Sequence, residues 1–134
     1  MRVLHPKQFE VNEAWIAFRL NRSPIETTAD GNFNCIALMD AASCFIFGTE
    51  LIPVSSTGPA PLQVRRLLRD AQRRKQQFPK TLYLPREEAA DLFALEAEKQ
   101  QIEVVRVPES KLIVFIGEAR DAFEEWASRP GNDA

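Results

Sequence analysis

Four arginines, Arg65, Arg66, Arg69 and Arg73, carry the strongest chemical signal in this chain. They sit in a stretch, Pro61 to Lys80, that holds seven cations (with Arg74, Lys75 and Lys80) against the single anion Asp70. Residues three and four apart share a helix face, so three or four of these guanidiniums can meet the phosphates of a nucleic acid or another anionic partner. Phe78 and Tyr83 are the only flanking aromatics suited to stack on bases. The structural alternative is a solvated helix face, or one paired with the chain's own later acidic helices, where each exposed ion pair adds only ~0.2–1 kcal/mol. Both readings stay open on sequence.

Asp40 poses the second chemical question. It ends an apolar run and opens the short turn Asp40-Ala41-Ala42-Ser43. Aspartate in such a turn bonds its own backbone, and Ser43 reads the same way. As a metal ligand it would need company, because two-metal chemistry requires several carboxylates around cations ~3.5–4 Å apart. No second acid stands at a matching position, so no metal site and no cofactor are expected, with Asp40 as the one weak candidate. His5, before Pro6, has no cysteine or acidic cluster beside it and reads as solvated. Cys35 and Cys44 lie in apolar runs and read as buried free thiols, close together if the runs pair. The stretch Ser55-Ser56-Thr57-Gly58 precedes a helix start but lacks any phosphate-loop pattern, so a plain connection is expected. No catalytic residue is assigned.

The elements that position these residues follow from periodicity and punctuation. Residues 1–13 read as an irregular lead-in, 14–128 as a single α/β domain and 129–134 as a flexible tail. Ala14 to Leu20 reads as a strand, Asn21 to Gly31 as a turn-rich loop, and Phe33 to Met39 and Cys44 to Val54 as two antiparallel strands joined by the Asp40 turn. A basic helix then starts near Pro61 and ends at Phe78-Pro79, with Leu62, Leu67, Leu68 and Ala71 as its apolar stripe. Thr81 to Leu84 is a strand. Pro85 opens a second helix with Glu87 and Glu88 in its first turn and Ala89, Leu92, Phe93 and Leu95 inward. Ile102 to Val107 is a strand; Lys111 to Phe115 is ambiguous; a last helix from Gly117 turns Ala119, Phe123, Trp126 and Ala127 to one face.

A chain of 134 residues can bury roughly two-thirds of its unfolded surface. No run approaches the ~20 apolar residues that cross a bilayer, and the first residues lack a signal core. A cytoplasmic protein with no membrane partner is expected. The net charge of −2 hides a segregation of about +6 in the basic segment against −8 elsewhere.

Strands separated by single helices demand parallel crossovers, and the preceding meander adds antiparallel strands. The expected fold class is therefore α/β: a mixed five-stranded sheet, an antiparallel meander followed by parallel β-α-β-α units. That order resembles the ribonuclease H-like fold of ribonuclease H and of integrase and transposase cores. The segment IALMDAASCFIFGTELI is similar to the first hairpin of an integrase core. The resemblance covers Asn32 to the C-terminus at the level of pattern. It implies an aspartate on the first strand, further carboxylates on the fourth strand and on helices, and two divalent metals. Asp40 fits the first position if Phe33 to Met39 is the first strand; if Ala14 to Leu20 is, no first-strand aspartate remains. At the end of the fourth strand stand Leu84 and Pro85, with Glu87 and Glu88 following, while Asp121 or Glu124 would stand in on the last helix.

Three functions are compatible with these residues. One is a non-catalytic binding or interaction domain using the basic helix 61–78, with a protein or a nucleic acid as partner. The second is a degenerate metal-dependent nuclease using Asp40. The third is a self-associating protein that pairs edge strands such as Ala14 to Leu20, with Trp15 or Trp126 as an anchor.

Overall fold

A computed structural model describes residues 3–129. The strands are β1 (Ala14–Arg19), the two-residue β2 (Ile25–Glu26), β3 (Asn32–Asp40), β4 (Ile46–Pro53), β5 (Thr81–Pro85) and β6 (Glu103–Val107). The helices are α1 (Pro61–Lys75), α2 (Asp91–Lys99) and α3 (Ile113–Ala127), with 3-10 turns at Pro6–Gln8 and Glu109–Leu112. The expected tail lies outside the described residues beyond Arg129, as do Met1 and Arg2 of the lead-in.

The strands form one mixed sheet. β3 pairs antiparallel with β1 and with β4, and β5 lies parallel between β1 and β6. The long strands thus run β4-β3-β1-β5-β6. β2 pairs with Asn32 and Phe33 of β3, beyond the stretch that β1 occupies, and so extends the same edge. The meander is therefore β1, β3 and β4, which makes β1 its first strand and puts Asp40 at the end of its second, opposite Trp15. The five expected strands are present, with β2 added inside what reads as a loop.

Strand alternation sends side chains to two layers. Trp15, Ala17, Ile36, Leu38, Leu82 and Leu84 face α1 and α2 and pack on Val64, Leu67, Leu68, Phe93 and Ala97. Ile16, Phe18, Ala37 and Met39 face the other way, toward Leu112, Phe115 and Ile116 at the start of α3. β1 lies in the middle of the sheet and Trp15 is fully buried. The expectation that β1 is a pairing edge with Trp15 as an anchor is therefore corrected: the outer strands are β4 and β6, with the short β2 beside β3.

Three further expectations change. α2 begins at Asp91, because Pro85 is still in the ladder opposite Val107 and Glu87 and Glu88 occupy the turn that follows. Its buried residues are Phe93, Glu96 and Ala97, while Leu92 and Leu95 face outward. On α1, Val64 takes the inward place and Leu62 is 59% exposed. On α3 the buried residues are Phe115, Ile116 and Arg120, and the ambiguous stretch Lys111 to Phe115 is the passage from the 3-10 turn into that helix. Glycine is required at Gly58, whose φ is +118° and where a Cβ would overlap the carbonyl oxygen of Ala89.

Candidate interaction site

The basic helix α1 is set by its own ends. Pro61 stands at its first position, where no N–H is needed. The Gln63 side chain accepts from the Ala60 N–H at 3.0 Å and donates to the Leu51 carbonyl of β4 at 2.8 Å, which stitches the helix start to the sheet edge. Gln76, at φ 61°, closes the other end in left-handed geometry. Arg73, Arg74 and Lys75 fall in the last turn, where cations suit the negative end of the helix dipole.

The four arginines divide into two pairs. Arg65 donates from Nε and Nη2 to Glu96 Oε1 of α2 at 3.3 and 3.1 Å, and Lys99 adds a contact at 3.4 Å. The Arg65 hydrogen bond holds the Glu96 carboxyl below the usual carboxylate range. Arg66 reaches Glu50 of β4 at 2.8 Å. These two therefore form ion pairs of the kind foreseen as the alternative, although Glu50 lies on a strand and not on an acidic helix. Arg69 and Arg73, one turn apart and exposed, make no hydrogen bond or ion pair with any described residue. Beside them, the Arg74 guanidinium lies 5.3 Å from the Phe45 ring centre and the Lys75 ammonium 6.0 Å from that of Phe47. A hollow of about 300 Å³ between α1 and α2 is lined by Arg65, Arg69, Gln72, Phe78, Glu96 and Gln100. Phe78 is half-buried and packs edge-on against Trp15, with ring centres 6.2 Å apart.

Asp40 is buried among neutral donors. Its carboxylate accepts from the Asn12 N–H at 2.7 Å, the Ser43 N–H at 2.9 Å and the Ser43 hydroxyl at 2.7 Å. Asn12 in turn accepts from the Trp15 indole N–H at 2.7 Å. This chain locks the Asp40 turn, the lead-in and the first strand together. Asn12 was invisible as a partner in sequence because it lies 28 residues from Asp40. Among the described residues, no group of three or more His, Cys, Asp or Glu is placed to hold a metal ion.

Charges also gather where β1, β5 and β6 end, at the end of the sheet opposite Asp40. Arg120 of α3 donates to the Arg19 carbonyl at 2.9 Å and to Glu109 at 2.7 Å. Arg19 stands 3.5 Å from Glu88, and the Glu109 N–H donates to Glu87 at 2.9 Å. The resemblance implies carboxylates on the first and fourth strands, but β1 and β5 contain none, and Arg19 ends β1. On the last helix, Asp121 and Glu124 pair with Arg22 at 2.9 and 2.8 Å. Guanidiniums here offset the negative charge that two divalent metals would require.

The remaining candidates take structural places. The His5 ring accepts from the Lys7 N–H at 3.2 Å and caps the first 3-10 turn. Cys35 and Cys44 are free thiols whose pKa values burial pushes up, away from the thiolate.

No protein-family profile matches this sequence, and no curated protein matches it. Solved structures do match. The HTLV-2 integrase catalytic core domain, in complex with magnesium, superposes with a TM-score of 0.58 at 8% identity, over 87% of this chain and 70% of that one. The simian T-cell lymphotropic virus intasome in complex with PP2A regulatory subunit B56 gamma gives 0.57 at 11% identity, over 98% and 45%. The catalytic core domain of BIV integrase gives 0.53 at 11% identity, over 87% and 70%. At such identities the likeness shows architecture alone: this chain has the ribonuclease H-like fold of retroviral integrase cores.

Proposed function

We propose that this chain is a non-catalytic binding domain that engages an anionic partner through the exposed face of α1. The observation that carries the reading is the pair Arg69 and Arg73, exposed one turn apart with no described residue to neutralise them. The occupied carboxylate of Asp40 and the arginines at the strand ends support a non-catalytic role, and no observation favours a nuclease built on Asp40. A structural neighbour in complex with a protein subunit is a reason to test acidic proteins beside nucleic acids.

The test is fluorescence anisotropy with labelled single-stranded, duplex and hybrid oligonucleotides and an acidic peptide, across a salt series. The expected result is micromolar binding to one probe class that weakens with salt and falls at least tenfold in the double variant Arg69→Glu/Arg73→Glu. For duplex DNA, two lost phosphate contacts would flatten the log–log salt slope by about 1.8. Absence of binding at low salt, or full binding by the double variant, would overturn the reading.

A further inference from the structure

The layer opposite α1 and α2 is incomplete. α3 covers the middle of the sheet, and beside it, over the start of β4 and the end of β3, lies an open groove of about 590 Å³. Its floor is Leu20, Met39 and Ile46, and its wall is α3, through Ala119, Ala122, Phe123 and Trp126. Phe115 and Glu118 also line it, so the wall residues fall at positions 115, 118, 119, 122, 123 and 126. That is the i, i+3, i+4, i+7 spacing of one helical stripe. From Phe115 to Trp126 the stripe runs three turns, roughly 16 Å at 1.5 Å per residue. Alanines at its centre allow a neighbouring helix axis to approach closely.

The rim supplies charge. Glu118 lines the groove and makes no hydrogen bond or ion pair with any described residue. It is close enough to Cys44 to help raise that thiol's pKa. Asp121, Glu124 and Glu125 continue the acidic surface of α3, with Arg22 and Arg129 as their partners. An apolar channel three helical turns long, with one carboxylate on its wall, Glu118, unpaired among the described residues, is complementary to one kind of occupant.

We propose that this groove receives a basic amphipathic helix from another protein, its apolar stripe laid beside α3 and its lysines or arginines over Glu118. Helix-in-groove recognition of this type reads anchors at i, i+3, i+4 and i+7. Helix α1 of a second copy does not supply the occupant, because its apolar residues Val64, Leu67, Leu68 and Ala71 are committed to its own core. The surface is separate from the Arg69 and Arg73 face, since α1 and α3 pack on opposite sides of the sheet.

The test uses three labelled synthetic 18-residue peptides in anisotropy titrations with the full chain. One is a leucine, alanine and lysine amphipathic helix; the second scrambles its sequence; the third replaces its lysines by glutamate. The amphipathic basic peptide should bind at least tenfold more tightly than either control. Ala122→Arg, at an exposed position, should reduce that binding at least tenfold while leaving the circular dichroism and melting temperature unchanged. Glu118→Gln should weaken it several-fold and reduce its salt dependence. Equal binding of the scrambled peptide, no binding of any peptide, or indifference to Ala122→Arg would overturn the proposal. So would a dimer in light scattering that Ala122→Arg dissociates, which would make a second copy the occupant.

Discussion

The two tryptophans of this chain lie on opposite sides of its sheet, and their surroundings differ in kind. Trp15, on the side of α1 and α2, is 0% exposed, with its indole N–H bonded to Asn12 and its ring 5.1 Å from that of Phe47. Trp126, on the α3 side, is 49% exposed at the end of a groove, with Phe123 6.1 Å away. One layer holds two helices over the whole width of the sheet, while the other places a single helix over its middle. The first is organised for stability; the second leaves apolar surface at the β3–β4 end that no described element covers.

Substitution at the two tryptophans should separate the layers. Trp15→Ala should cost about 3–5 kcal/mol, as for large buried aromatics in general, and Trp126→Ala no more than about 1 kcal/mol. Urea denaturation measures both; comparable losses would show that the α3 side is as well packed as the other.

A smaller effect is expected at Asp40, which belongs to the well-packed layer through Asn12 and Trp15. Asp40→Ala removes the acceptor of the buried Asn12 N–H and of Ser43, at a cost of about 1–3 kcal/mol. Adding manganese or magnesium should leave the melting temperature of the parent chain unchanged. A rise with metal that Asp40→Ala abolishes would restore the metal reading.

The smallest effect concerns the strand-end cluster under α3. Burial, with Glu109 and Glu87 nearby, outweighs Arg19 and Arg120 and raises the Glu88 pKa. The folded chain thus holds the proton more tightly than the unfolded chain. Stability declines as pH rises from the ordinary glutamate value, about 4.3, through the raised one, and the penalty is complete above it. Glu88→Gln removes that dependence, so its stability relative to the parent should be higher at pH 7 than at pH 4. A difference that is the same at both pH values would show that Glu88 titrates as an ordinary surface acid.

How much of this was legible in the sequence depends on the range of the forces involved. The strand runs Phe33 to Met39 and Ile102 to Val107 announced themselves through apolar and β-branched content, and the meander followed by alternation gave the sheet. The start of α2 did not, because Pro85 suits both a first helical position and the end of a buried strand, and pairing with β6 decides between them. Its inward face was misread because Leu92 and Leu95 are more apolar than Ala97, whereas the approach of Arg65 from α1 turns Glu96 inward. For the arginine cluster, helical spacing foretold a common face but not its division. Glu50 and Glu96 lie 16 and 31 residues from their partners, and only the fold brings them within reach.

The position of β4 has a consequence for how this chain behaves in a crowd. It is a long outer strand, and the part of its backbone edge that Gln63 does not occupy is a template on which an unrelated strand could grow. Two features blunt it. Pro53 ends the ladder without a donor, and Glu50 carries a charge held there by Arg66. The Arg66–Glu50 pair, modest as a source of stability, places charged groups on that outer strand, and removing it is expected to register in solubility rather than in a melting curve.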